Sequence, residues 1–132
     1  MEKNVSLKAC LEAVAEFHEA FGVVNNYEPT TDIPKDQKQL RHDLMQEENK
    51  EYFEAVQNND LVEVADALGD QLYILCGTIL KHGLQDKIGA IFEEIHRSNM
   101  SKLGEDGKPI YREDGKVLKG PSYFKPNIAK YL

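Results

Sequence analysis

Gln46-Glu47-Glu48-Asn49-Lys50-Glu51 and Glu63-Val64-Ala65-Asp66-Ala67-Leu68-Gly69-Asp70 are the two segments on which the reading of this chain turns. On a helix, residues three, four and seven apart share a face. Glu48 and Glu51 therefore form one row, and Glu63, Asp66 and Asp70 another. The first row continues the stripe Leu40–Leu44–Glu48–Glu51–Ala55, apolar at both ends. The second runs through Tyr73 to Gly77, inside Leu72-Tyr73-Ile74-Leu75-Cys76-Gly77-Thr78-Ile79-Leu80. That run has no solvated face and reads as buried. Carboxylates in line with a core cannot all stay charged without a metal, a base or a raised pKa. The plain alternative is a solvated acidic face, which suits Glu54, Asp60 and Glu47.

Outward from these rows, helical spacing predicts four helices. The first spans about Leu7 to Phe21, with Leu7, Cys10, Leu11, Val14, Phe17 and Phe21 as its apolar set and Ser6 as its cap. The second runs from Lys35 or Asp36 to Gln57. Asn58-Asn59-Asp60 is a tight turn in which Asp60 caps the third helix, about Leu61 to Lys81. The fourth spans Leu84 or Gln85 to Asn99, with Ile88, Ile91, Phe92 and Ile95 on its apolar face. Between helices one and two, residues 25–34 form a long polar connection of the kind that covers sites. After helix four, Asp114-Gly115 between two β-favouring runs signals a hairpin. The expected fold is all-α: a four-helix-bundle-like core over about residues 5–100 and a short hairpin or irregular tail over about 101–132, in one domain.

A single short turn makes helices two and three antiparallel neighbours. It lays Glu48 and Glu51 level with Glu63 to Asp70, so the two acidic rows meet. Facing rows of carboxylates make an oxygen cage for a hard cation such as Mg²⁺, or Mn²⁺ in its place.

The net charge of −7 is unevenly spread. Residues 1–96 hold 8 Lys and Arg against 19 Asp and Glu, a balance of −11; residues 97–132 hold 8 against 4, a balance of +4. An acidic body argues against nucleic-acid polymers as partners. A basic tail suits either phosphate binding or solubility alone. No apolar run is long enough to span a membrane, and Met1-Glu2-Lys3-Asn4 has no signal-peptide core. Cys10 and Cys76 lie far apart in apolar helical settings, as small hydrophobes of a reducing cytoplasm. A modest core and a third helix apolar almost all round point to a homodimer or homotetramer.

Glu47-Glu48-Asn49-Lys50-Glu51 with Glu63-Val64-Ala65-Asp66 resembles the EExxE…ExxD signature of the all-α nucleoside triphosphate pyrophosphohydrolases. That superfamily includes MazG, the dimeric dUTPases, the dCTP pyrophosphatases and phosphoribosyl-ATP pyrophosphohydrolase. His96-Arg97-Ser98-Asn99-Met100-Ser101-Lys102 looks like the Asn/Lys segment of MazG-like members, and the stretch Asp114 to Phe124 like the ending of short stand-alone ones. The resemblance implies Mg²⁺-dependent hydrolysis between the α- and β-phosphates of a nucleoside triphosphate, giving the monophosphate and pyrophosphate. It carries Glu48, Glu51, Glu63 and Asp66 over as metal ligands and Glu47 as the residue that orients or deprotonates water. Asp70 stands outside the core signature but on the same face. A frame centred on Asp70 would put Ala67 where a glutamate belongs, so Glu63/Asp66 is the preferred pair.

Positive partners for the leaving pyrophosphate are Arg97, Lys102, Lys116 and Lys119, with Lys102 foremost; Asn99 is either a sugar or phosphate contact or a helix C-cap. Tyr73 either stacks on a base or packs in the core. His18 reads as a partly exposed helix residue, with Phe17 and Phe21 in the core; the other reading sets all three around a base. Two rival functions stand beside the hydrolase. Glu93-Glu94-Ile95-His96 holds one Glu-x-x-His, but a di-iron bundle wants that motif on two helices. The second rival is a non-catalytic helical interaction module. Phosphoribosyl-ATP is the alternative substrate.

Overall fold

The computed structural model describes residues 4–132; the first three residues of the start read above lie outside it. Among the described residues there are four α-helices, a closing 3-10 turn and no strand beyond one isolated bridge. The fold is all-α. The helices are α1 (Leu7–Ala20), α2 (Lys35–Gln57), α3 (Leu61–Lys81) and α4 (Ile88–Met100). None is long and apolar enough to cross a membrane. The chain forms two compact units, one running to Asp86 and the other Lys87–Leu132.

In the first unit, α1 and α2 both pack on α3. The caps are those the sequence signals. Ser6 Oγ accepts from Ala9 N at 3.1 Å, and Asp60 Oδ1 accepts from Glu63 N at 3.1 Å. Each satisfies an N-terminal amide that has no helical partner. The α2–α3 turn places Asn59 at φ 53°, a left-handed conformation that Asn tolerates. The core is Leu11, Val14, Ile33, Ala55, Ala67, Cys76, Ile79 and Leu80. At the end of α3, Gly83 has φ +66°, and a Cβ there would collide with the Glu28 carbonyl. Only glycine lets the loop close on the helix end at that point. The loop is further strapped down by Asn26 Nδ2 donating to Lys81 O at 2.6 Å and by His82 Nδ1 against Thr30 O at 2.8 Å.

Two expectations change in this unit. Phe21 and Phe17 are exposed, and His18 is buried at 4% exposure, the reverse of the sequence reading. The cause is the register of α1 on α3, which turns Leu11, Val14 and His18 inward. The run from Leu72 to Leu80 does have an open side in the single chain: Leu72, Tyr73 and Leu75 are exposed, while Cys76, Gly77, Ile79 and Leu80 are buried. Cys10 is half-buried and Cys76 buried, and both are free thiols.

In the second unit, α4 begins at Ile88, later than its periodicity suggested. Its buried stripe is Ile91, Glu94 and Ser98, while Phe92 and Ile95 are exposed. The polar members of that stripe hold the tail. Ser98 Oγ donates to Phe124 O at 2.8 Å, and Glu94 Oε2 accepts from Asn127 N at 2.8 Å. Arg97 bonds Glu94 Oε1 at 2.7 Å and lies 4.4 Å from the centre of the Phe124 ring. The Asp-Gly signal is realised as a small turn closed by an antiparallel bridge, Tyr111 to Val117.

Candidate metal centre and adjoining cavity

Helices α2 and α3 run antiparallel from their short turn, and this brings Glu48, Glu51 and Asp70 together. One carboxylate oxygen from each lies within 4.8 Å of the others. Glu48 and Asp70 are half-buried and Glu51 exposed. Next to them Gln71 Nε2 donates to Asn49 Oδ1 at 3.3 Å, a polar tie between the two helices. Ala67 sits buried between the acidic turns of α3. Its small side chain lets α3 approach α2 at that level.

The electrostatics follow from the crowding. Burial pushes the Glu48 carboxyl up to about 7; its hydrogen bond with Glu51 and the charges of Glu51, Asp70 and Glu47 act in the same direction. Glu48 Oε2 is buried and has no hydrogen-bond partner. An orphaned carboxylate oxygen facing two other acids is a set of hard donors suited to a divalent cation.

Glu63 and Asp66, the preferred pair of the motif frame, are exposed and stand outside this trio. With Glu51, Glu54, Asn58 and Asp60 they line a neighbouring hollow of about 180 Å³. Glu51 belongs to both groups. Glu47 is exposed, one residue before Glu48.

The basic candidates all lie in the second unit. Arg97 is engaged by Glu94 and Phe124 as described. Lys119 Nζ lies 4.7 Å from the centre of the Tyr123 ring. Lys102 is half-buried, and its carbonyl accepts from Gly120 N at 2.8 Å. Lys116 and Asn99 are exposed.

The alternative reading of the sequence set Phe17, His18 and Phe21 around a base with Tyr73 stacked on it; a cavity of about 680 Å³ in the first unit is lined by Phe17, His18 and Tyr73, though not by Phe21. Leu44, one turn before Glu48, and Tyr73, one turn after Asp70, line it, so it adjoins the acidic trio along both helices. His18 and the polar loop line it too, as do Arg41 and Lys81. Arg41 and Lys81 are 6% and 4% exposed. Lys81 Nζ donates to Val24 O at 2.7 Å. Arg41 has one long bond, Nη2 to Ile74 O at 3.4 Å, and its Nε is buried without a partner. Tyr73 packs edge-on against Phe17 at 5.7 Å between ring centres. One signal could have revealed Arg41: it falls between Leu40 and Leu44, beside the inward stripe of α2.

An all-α chain with a carboxylate trio on a helical hairpin has the donor set of a metal-binding helical protein; comparison with known proteins makes the class specific. Residues 14–99 match the family model described as phosphoribosyl-ATP pyrophosphohydrolase. The chain belongs to that family, within the all-α MazG-like nucleoside triphosphate pyrophosphohydrolase superfamily, whose members cleave phosphoric anhydride bonds. It is also 40% identical over 112 residues to an uncharacterized protein of Acanthamoeba polyphaga mimivirus; the match covers 82% of this chain and 41% of the viral protein.

Proposed function

We propose that this chain is a Mg²⁺-dependent nucleotide pyrophosphohydrolase that converts a nucleoside triphosphate and water to the monophosphate and pyrophosphate. The observation that carries this is the trio Glu48, Glu51 and Asp70, with the buried, unpartnered Oε2 of Glu48. These residues would hold the cation, with Glu63 and Asp66 flanking it at Glu51. A bound Mg²⁺, or Mn²⁺, neutralises phosphate charge and favours in-line displacement at phosphorus.

The chain's own groups divide the remaining work. Glu47, exposed beside Glu48, orients or deprotonates the attacking water. The anhydride oxygen leaves as pyrophosphate, and Lys102 offsets its charge, aided by Lys116 and Lys119. Arg97 and Asn99 are the remaining substrate contacts of this reading; Arg97 also packs the tail. The assembly is a homodimer or homotetramer in the cytoplasm. Phosphoribosyl-ATP is the second substrate reading, favoured by the description of the matching family.

The test is pyrophosphate release from a panel of nucleoside triphosphates and phosphoribosyl-ATP, with and without Mg²⁺. Glu48→Gln, Glu51→Gln and Asp70→Asn are each expected to lower kcat/KM by at least a hundredfold in folded protein. Asp66→Asn measures how far the flanking acids take part. Wild-type turnover in the three trio variants would overturn the assignment.

A further inference from the structure

Arg41 and His18 meet on the wall of the cavity, and glycine is the reason they can. A Cβ on Gly77 would lie 3.1 Å from both Arg41 Nη2 and His18 Nε2. The two nitrogens therefore converge on one bare patch of α3. Arg41 presents donors only. It is almost wholly buried; among the described residues no carboxylate pairs with it and its Nε has no partner. A buried guanidinium with a single long bond, Nη2 to Ile74 O at 3.4 Å, leaves most of its donors unsatisfied, which is costly unless a ligand takes them. His18 Nδ1 donates to Asn25 Oδ1 at 2.6 Å. Burial, together with the charges of Arg41 and Lys81, disfavours a second proton on the ring, so Nε2 is an acceptor. The wall thus offers two donors followed by an acceptor.

We infer that this cavity holds the base of the nucleotide and selects one presenting acceptor, acceptor and donor in sequence, with Arg41 reading the two acceptors and His18 the donor. The inference rests on the proposed nucleotide substrate and adds its base. A 6-oxopurine offers N7, O6 and N1–H in that order. Cytosine offers O2, N3 and its amino group. Adenine alternates acceptor, donor and acceptor, so its amino group would face the guanidinium. Uracil also alternates. The cavity has room for either base, and the bidentate contact to N7 and O6 ranks the oxopurine ahead of cytosine. Arg41 lies seven residues before Glu48, about 10 Å along α2, so a base there leaves its phosphates directed at the acidic trio. Bidentate pairing of arginine with N7 and O6 is the commonest specific contact to guanine.

The experiment measures binding of nucleoside monophosphates to the full chain by calorimetry, which needs no hydrolysis. GMP and IMP are expected to bind at least tenfold more tightly than AMP and UMP, with CMP between. Replacing N7 of the guanine by carbon should weaken binding severalfold in the wild-type protein, whatever the fate of any variant. Arg41→Gln, checked for folding by circular dichroism, should shift preference toward adenine, whose N6 and N7 a glutamine amide matches. A ranking led by adenine or uracil overturns the inference, as does indifference to N7 or no binding of any monophosphate. Triphosphate kinetics separate it from the proposed chemistry. Hydrolysis without base preference removes the base reading alone. Selective GMP binding without hydrolysis of any triphosphate removes the chemistry alone.

Discussion

Glu48 is the residue at which stability and binding oppose each other. Its carboxyl sits among Glu51, Asp70 and Glu47 and is pushed from 4.5 to about 7 by burial and by those neighbours. A raised folded pKa means the proton is held more tightly in the folded chain than in the unfolded one. The associated stability is complete below about 4.5 and is lost as pH rises through about 7. In chelator, the wild-type protein is therefore expected to lose thermal stability across that window. Glu48→Gln should flatten the profile and raise the melting temperature near neutrality, while Mg²⁺ should stabilise the wild type and no longer stabilise the variant. Thermal melts at several pH values, with and without Mg²⁺, check both statements. A wild-type profile that rises with pH in chelator would count against the crowding described here.

At the scale of elements, α4 and the tail show a different use of buried polar groups. Ser98 and Glu94 face the tail, and each satisfies a backbone group of it. Ser98→Ala would leave the Phe124 carbonyl unpaired, at an expected cost of about 1–3 kcal/mol. Hydrogen exchange at the Phe124 and Asn127 amides would read the loosening, which should exceed that elsewhere in α4. The Asn127 amide and Arg97 hold the Glu94 carboxyl below the usual carboxylate range. Here the sign is the opposite of that for Glu48: the contribution is present above the ordinary value of 4.5 and disappears as pH falls through the lowered one. The tail should accordingly lose exchange protection, measured against the intrinsic rate at each pH, as the solution is acidified, and Glu94→Gln should remove much of that dependence. Unchanged Asn127 exchange in the variant would show that the carboxylate does not anchor the tail.

At the scale of the whole molecule, the outer side of α3 sets the prediction. Leu68, Leu72 and Leu75 are 49%, 47% and 48% exposed and follow helical spacing. An apolar stripe of this kind on a small chain marks a surface for association. The protein is expected to be a dimer or tetramer at micromolar concentration by light scattering. Leu72→Glu should shift it toward monomer, with circular dichroism checking that the helices persist. A monomeric wild type would refute the expectation.

The helices were legible in the sequence because their signals are local. Ser6, Asp60 and Asn58-Asn59 fix the ends of α1, α2 and α3 within a turn, and apolar spacing fixes the segments between. The meeting of the acidic rows was legible too, since one short turn forces α2 and α3 to run antiparallel. The choice within the second row was not. Motif spacing favours Glu63 and Asp66, yet the rotation of α3 about its axis sets Asp70 beside Glu48 and Glu51. That rotation depends on how Ala67, Gly77 and the core side chains pack against both neighbouring helices. His18 stood only in the alternative reading that set it around a base, and Arg41 was missed, for the same reason. Each is one polar residue beside an apolar stripe, and only the register of α1 and α2 on α3 turns both toward Gly77 and makes a cavity wall of them. Periodicity records which face a residue is on to within a neighbouring position, whereas a site needs the side-chain directions of three helices at once, and tertiary packing alone decides those.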